Sequence, residues 1–153
     1  MAEGLLKAKL PPELKEQVIV RSAGTLNLTG NRATPFAIAA ANKFGANIAN
    51  HRSQGLSKQL VYDSDIVLVM DQSHKEYLLQ HFPDAKENIF LLKEFSLNHE
   101  QEPPHLNIID PIGNSLQFYE TICDEINNEI ERIVPTLIPL IKNKMNLAEF
   151  HAE

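Results

Sequence analysis

Asp110-Pro111-Ile112-Gly113 is the stretch of this sequence best equipped to move a proton. Proline at the next position biases Asp110 toward an extended backbone, which fixes where its carboxylate points. Gly113 permits the chain to turn back, and Asn114 or Ser115 can cap a helix that follows. A carboxylate presented in this way can give up a proton and later take one back. The same tetrapeptide can also be no more than a turn. Cys123 is the one cysteine. It falls between Ile122 and Ile126 on an apolar stripe, with no arginine five or six positions later, so it reads as an inert core thiol. His74 and His81 are seven apart on one helical stretch, with no third histidine or carboxylate at ligand spacing, and no metal is expected there. Gly24 to Gly30 does not have the spacing of a dinucleotide fingerprint, and Ser22 stands in no nucleophile motif. Glu125, Glu129 and Glu131 predict an ordinary solvated helix face.

The elements that must position these residues are legible from periodicity. Val18-Ile19-Val20, Ile66-Val67-Leu68-Val69-Met70 and Ile89-Phe90-Leu91-Leu92 are short, continuous apolar runs rich in β-branched residues. They predict strands buried on both faces, hence a parallel sheet. Thr34-Pro35 opens a helix that continues to Gly45. Further helices are expected over 57–62 and 73–82, the latter stopped by Pro83. The longest begins near Ser115, with Tyr119, Ile122, Cys123, Ile126, Ile130 and Ile133 on one face. Pro135 and Pro139 are expected to kink or end it. Residues 1–9 predict a helix with no capping residue and no strand ahead of it, although a right-handed βαβ unit needs such a strand. Alternating strands and helices make this an α/β protein with a doubly wound parallel sheet. One domain is expected over 1–145, with a loose tail over 146–153.

Several segments, in chain order, resemble the low-molecular-weight protein tyrosine phosphatases, whose bacterial members include protein-arginine phosphatases. Met1-Ala2-Glu3-Gly4-Leu5-Leu6 is similar to the helix that follows the family's phosphate loop. Arg21-Ser22-Ala23-Gly24-Thr25 resembles the end of its second strand, Asn50-His51-Arg52-Ser53 its histidine segment, and Val69-Met70-Asp71-Gln72-Ser73-His74 the end of its third strand. Asp110-Pro111-Ile112-Gly113 matches its acid loop. The resemblance extends to about Lys144. It implies that Asp110 is the general acid and then the general base of a phosphocysteine mechanism. It implies that His51 and Asp71 brace the phosphate loop, and that Ile112 walls the substrate where relatives often carry an aromatic. An aliphatic wall loses ring stacking, which weakens phosphotyrosine relative to phosphoarginine as substrate.

The family's motif is a strand, then Cys, five residues, Arg and Ser, and then this helix. None of it is in these residues, and the first central strand of the fold is expected to be missing with it. No nucleophile and no clamp arginine are therefore expected in this chain, and activity is expected only in a longer form. The alternatives are a non-catalytic binding or regulatory module, and an arsenate reductase, which needs two further cysteines to relay electrons. The implied partner is a phosphorylated protein or a small phosphoester, with no cofactor and no metal.

Composition sets the outer bounds. At 153 residues, 43% hydrophobic and 22% charged, the chain is long enough for one core. The formal charge of −6 comes with no basic cluster, which argues against nucleic-acid binding. No run approaches the roughly 20 apolar residues of a membrane span. A single cysteine fits a reducing compartment, so the cytoplasm is expected, and the full-length form is expected to be a monomer.

Overall fold

Side chains of a strand point alternately to its two faces, and that alternation organises this molecule. The computed structural model describes residues 1–97 and 105–150. Strands β1 (Val67–Val69) and β2 (Ile89–Leu91) run parallel, with Val67 opposite Ile89 and Val69 opposite Leu91. Val69, Ile89 and Leu91 point to one core, shared with Val61, Leu78 and Ala85. Leu68 and Phe90 point to the other, larger core. Helices cover both faces, as a doubly wound parallel sheet requires.

Helix α1 (Ala2–Lys9) and a short α2 (Pro12–Lys15) come first. Helix α3 (Pro35–Asn42) starts where Thr34 accepts the Ala37 amide on its hydroxyl, with Pro35 in the first turn. In α4 (Lys58–Tyr62) Ser57 does the same for the Leu60 amide. Helix α5 (Gln72–His81) leads into a 3-10 turn over Pro83–Asn88. Helix α6 (Leu116–Phe150) buries Ile122, Cys123, Ile126, Ile130 and Ile133 against α1 and α3. Of the two capping candidates ahead of α6, it is Ser115 whose hydroxyl accepts the Phe118 amide at 3.3 Å.

Three expectations need correction. Residues 18–20 form no strand, and among the described residues no amide from Ile19 to Ala23 donates to a backbone carbonyl. Their composition suits a strand, but a strand exists only against a ladder partner, and Ile19 is 79% exposed. Of the two outcomes expected at Pro135 and Pro139, a kink or an end, the end does not occur. The prolines are four residues apart on the exposed face of α6, where water can satisfy the two carbonyls that lose a partner. The same helix continues through Asn146 to Phe150, where a loose tail is expected; positions 151–153 lie outside the described residues. No helix among the described residues is long and apolar enough to cross a membrane.

Candidate active site

The Asp110 loop is fastened before it reaches the aspartate. Lys93, just beyond β2, donates from Nζ to the carbonyls of His105 and Asn107 at 3.1 and 3.4 Å. The same ammonium stands 2.5 Å from Glu125 on α6. Asn107 accepts the Gln72 amide on its side-chain oxygen at 2.9 Å, and the buried Ile108 donates its amide to the Met70 carbonyl at 2.8 Å. The segment is thereby tied to the carboxyl end of β1, the first turn of α5 and the middle of α6. Asp110 then accepts the Ile112 amide on Oδ1 at 2.9 Å, closing a turn through Pro111. Gly113 holds φ at +80°, a conformation that favours glycine, and the Asn114 amide reaches the Pro111 carbonyl at 3.0 Å. One oxygen of Asp110 is fixed by the loop and Oδ2 is left for other work.

Asp110 lines a cleft of about 140 Å³ together with Asp71 and His74. Its other walls are Met70, Ile108, Ile109, Pro111, Ile122 and Ile126. The cleft lies beyond the carboxyl end of β1, where open parallel sheets bind their ligands. Asp71 caps α5: its Oδ1 accepts the Ser73 hydroxyl at 2.6 Å and the His74 amide at 2.8 Å. Its Oδ2 stands 2.9 Å from His74 Nδ1. Burial works to raise the Asp71 pKa, but the hydrogen bonds from Ser73 and His74 and the His74 charge outweigh it and hold the carboxyl below its ordinary value.

His51 is elsewhere. Its Nδ1 is 3.7 Å from Glu3 Oε2 at the start of α1, and Glu3 also accepts from Ser22 at 2.6 Å and Lys7 at 2.5 Å. Burial opposes ionisation of Glu3, yet Lys7, Ser22 and His51 together depress its pKa. Ser22 is thus a hydrogen-bond donor in this cluster. Ile112 is 69% exposed on the rim and does not line the cleft. The structure therefore brings Asp110 and Asp71 together, and leaves His51 and Ile112 outside their cleft.

Cys123 is fully buried on α6, and burial pushes its thiol pKa up. His74 and His81 do not meet, since His81 stacks on Tyr77 at 4.1 Å and points Nδ1 at the Tyr77 carbonyl. No three metal-ligating side chains converge among the described residues. The glutamates expected as a plain solvated face each have a partner: Glu125 has Lys93, Glu129 has Arg132 and Glu131 has Lys9. The Lys93 fastening and the Asp71–His74 pair have weak sequence signals. The first joins residues far apart in the chain, and the second shows only as an aspartate and a histidine three apart.

A family model described as low molecular weight phosphotyrosine protein phosphatase matches residues 1–145. The chain is 33% identical over 138 residues to a protein-arginine-phosphatase of Bacillus subtilis, covering 90% of this chain and 87% of that one. It is 31% identical over 137 residues to a probable low molecular weight protein-tyrosine-phosphatase, EpsP, of Ralstonia nicotianae, covering 90% and 86%. Among solved structures, the YwlE arginine phosphatase from Geobacillus stearothermophilus superposes with a TM-score of 0.77 at 31% identity, covering 90% of this chain and 83% of that one.

Proposed function

Because the chain belongs to the low molecular weight phosphotyrosine protein phosphatase family, we propose that it serves hydrolysis of phosphotyrosine or phosphoarginine in proteins, with Asp110 as the group that moves the proton. The carrying observation is an aspartate on a fastened turn, one oxygen fixed by Ile112, that lines a cleft beyond β1. In the complete reaction a thiolate attacks phosphorus and the P–O or P–N bond breaks. Asp110 gives its proton to the departing oxygen or nitrogen. The resulting carboxylate then takes a proton from water, whose oxygen displaces the thiolate and releases phosphate. His51 and Asp71 support the phosphate loop in this reading, and Ile112 shapes the rim.

Cys123 is the one thiol in the sequence, and its burial is the wrong setting for a nucleophile. The 153 residues by themselves are therefore proposed to be inactive. An aryl phosphate assay on the purified chain is expected to show only the buffer rate. Turnover that survives Cys123→Ser would place the active site elsewhere. In a form that carries a strand, Cys, five residues, Arg and Ser ahead of Met1, Asp110→Asn is expected to lower turnover of a poor leaving group about a hundredfold. Unchanged turnover would remove Asp110 from the mechanism.

The buried thiol also favours a second reading, a non-catalytic module that binds phosphorylated proteins. Binding of a phosphopeptide by a chain that never turns it over separates the two. Arsenate reduction has no support, since a single buried cysteine cannot relay electrons. A cytoplasmic location and a monomeric state belong to the same proposal. The first is supported by the single cysteine.

A further inference from the structure

Residues 17–62 contain no aspartate and no glutamate. They hold Arg21, Arg32, Lys43, Arg52 and Lys58, whereas the other 9 of the 14 cations and all 20 acidic residues lie outside them. The stretch therefore carries a formal charge of +5 and the remainder −11. It holds no basic run, and its character comes from the absence of acids. Two glutamates reach it from other elements. Glu3 of α1 is taken by Lys7, Ser22 and His51, and Glu120 of α6 pairs with Lys43 at 2.7 Å. Among the described residues no carboxylate stands within 4.0 Å of Arg21, Arg32 or Arg52, while Arg132 has Glu129. The fold sets two of these arginines side by side. Arg32 and Arg52 are partners in an antiparallel bridge, next to the bond from the Ser53 amide to the Asn31 carbonyl at 2.9 Å. Neither arginine's amide bonds the other, which is the closer kind of cross-strand pair, with both side chains on one face. Both are exposed. Like charges directly opposite repel, and an anion lying between two guanidinium forks removes that cost.

An apolar tongue adjoins the pair. Residues 25–29 start from Gly24, whose amide reaches the Gln54 carbonyl at 3.0 Å, and end at Gly30, whose amide reaches the Ser53 carbonyl at 2.8 Å. Asn27 lies against Gly55, where a Cβ would meet its Oδ1 at 2.7 Å. The tongue is thus held at both ends and in the middle, yet Leu26 and Leu28 are 80% and 57% exposed. We infer that Arg32 and Arg52, with Leu26 and Leu28 beside them, form a docking surface for an acidic segment of a partner protein. Carboxylates of the segment sit between the two guanidiniums, and its apolar side chains cover the two leucines. Nucleic acid fits less well: the cations are few, the remainder of the chain repels a long polyanion, and leucines offer no stacking platform. A short acidic segment meets mainly the local arginines, because charges beyond about 8 Å are screened at physiological salt. The surface does not depend on proton transfer by Asp110.

The probe is a fluorescently labelled, amidated peptide in which pairs of glutamates alternate with single leucines. Its anisotropy is followed as the 153-residue chain is added. A saturable rise is expected, with an affinity that falls as salt rises. The same peptide with glutamine in place of glutamate is expected to give none. Arg32→Gln and Arg52→Gln are each expected to weaken binding about two- to fivefold, as loss of an exposed ion pair does, and the double variant about tenfold or more. Arg52→Lys keeps the charge without the fork and is expected to fall between Arg52→Gln and the parent. Leu26→Ser combined with Leu28→Ser is expected to weaken binding severalfold, and Lys86→Gln, outside the stretch, to leave it unchanged. All of these side chains are exposed, so the fold survives their replacement. No saturable rise, an equal response to the glutamine peptide, or undiminished binding in either double variant overturns the inference. So does displacement of the peptide by a single-stranded DNA oligonucleotide at a lower concentration than by unlabelled peptide. The role of Asp110 is decided separately, by the turnover of Asp110→Asn.

Discussion

Glu3 and Asp71 are carboxylates whose hydrogen-bond donors and charged neighbours favour the ionised form. Both have folded pKa values below those of the unfolded chain. As pH falls, the unfolded state therefore binds protons first, and the contribution of these residues, complete only above about 5, is lost as pH falls through about 4 and below. Glu3→Gln should flatten the acid limb of stability, measured as urea midpoints over a pH series. An acid limb identical to that of the parent would mean that the Ser22, Lys7 and His51 contacts carry no stability. Asp110 is legible in the sequence because proline and glycine bracket it and restrict the backbone wherever they occur. The Asp71–His74 ion pair is not, because a histidine three positions after an aspartate is common on helices and tells nothing of where the two side chains meet.

Gly4 shows how tightly the elements are fitted. A Cβ there would stand 2.4 Å from Ile48 Cγ2, a branched methyl that cannot swing aside. Helix propensity alone predicts that Gly4→Ala stabilises α1 by about 1 kcal/mol. The close approach reverses the sign, and a net loss of about 1–3 kcal/mol is expected in denaturant unfolding. A stabilised Gly4→Ala variant would show that Ile48 gives way. Capped helices were readable because Thr34-Pro35 and Ser57 act locally. The start of α5 is shifted by one residue from Ser73 to Gln72 because Asp71 takes the capping position. Residues 18–20 misled because strand propensity describes side chains, whereas a strand is made by a neighbour. The prolines of α6 do not end it, since Ile133 and Leu137 bury the other face of the helix and hold it together.

Across the whole molecule the sheet is the weak part. β1 pairs with β2 on one side only, and residues 18–20 have no ladder partner among the described residues. Half-buried backbone groups left without partners cost about 1–3 kcal/mol each against a total stability of only about 5–15 kcal/mol. Calorimetry of the 153-residue chain is expected to give a broad transition, with light scattering that grows with concentration because open strand edges recruit one another. A sharp transition without scattering would mean that the two strands and their helices suffice. The cleft, by contrast, leans on the most solid part, for Ile122 and Ile126 wall it on one side and belong to the larger core on the other. Ile109 and Ile112, at 64% and 69% exposed, carry no such double duty. Diversification of substrate preference among descendants of this protein should therefore be written in the rim at 109 and 112. The floor at 122 and 126 is locked, because every change there is also a change to the buried core that the helices share.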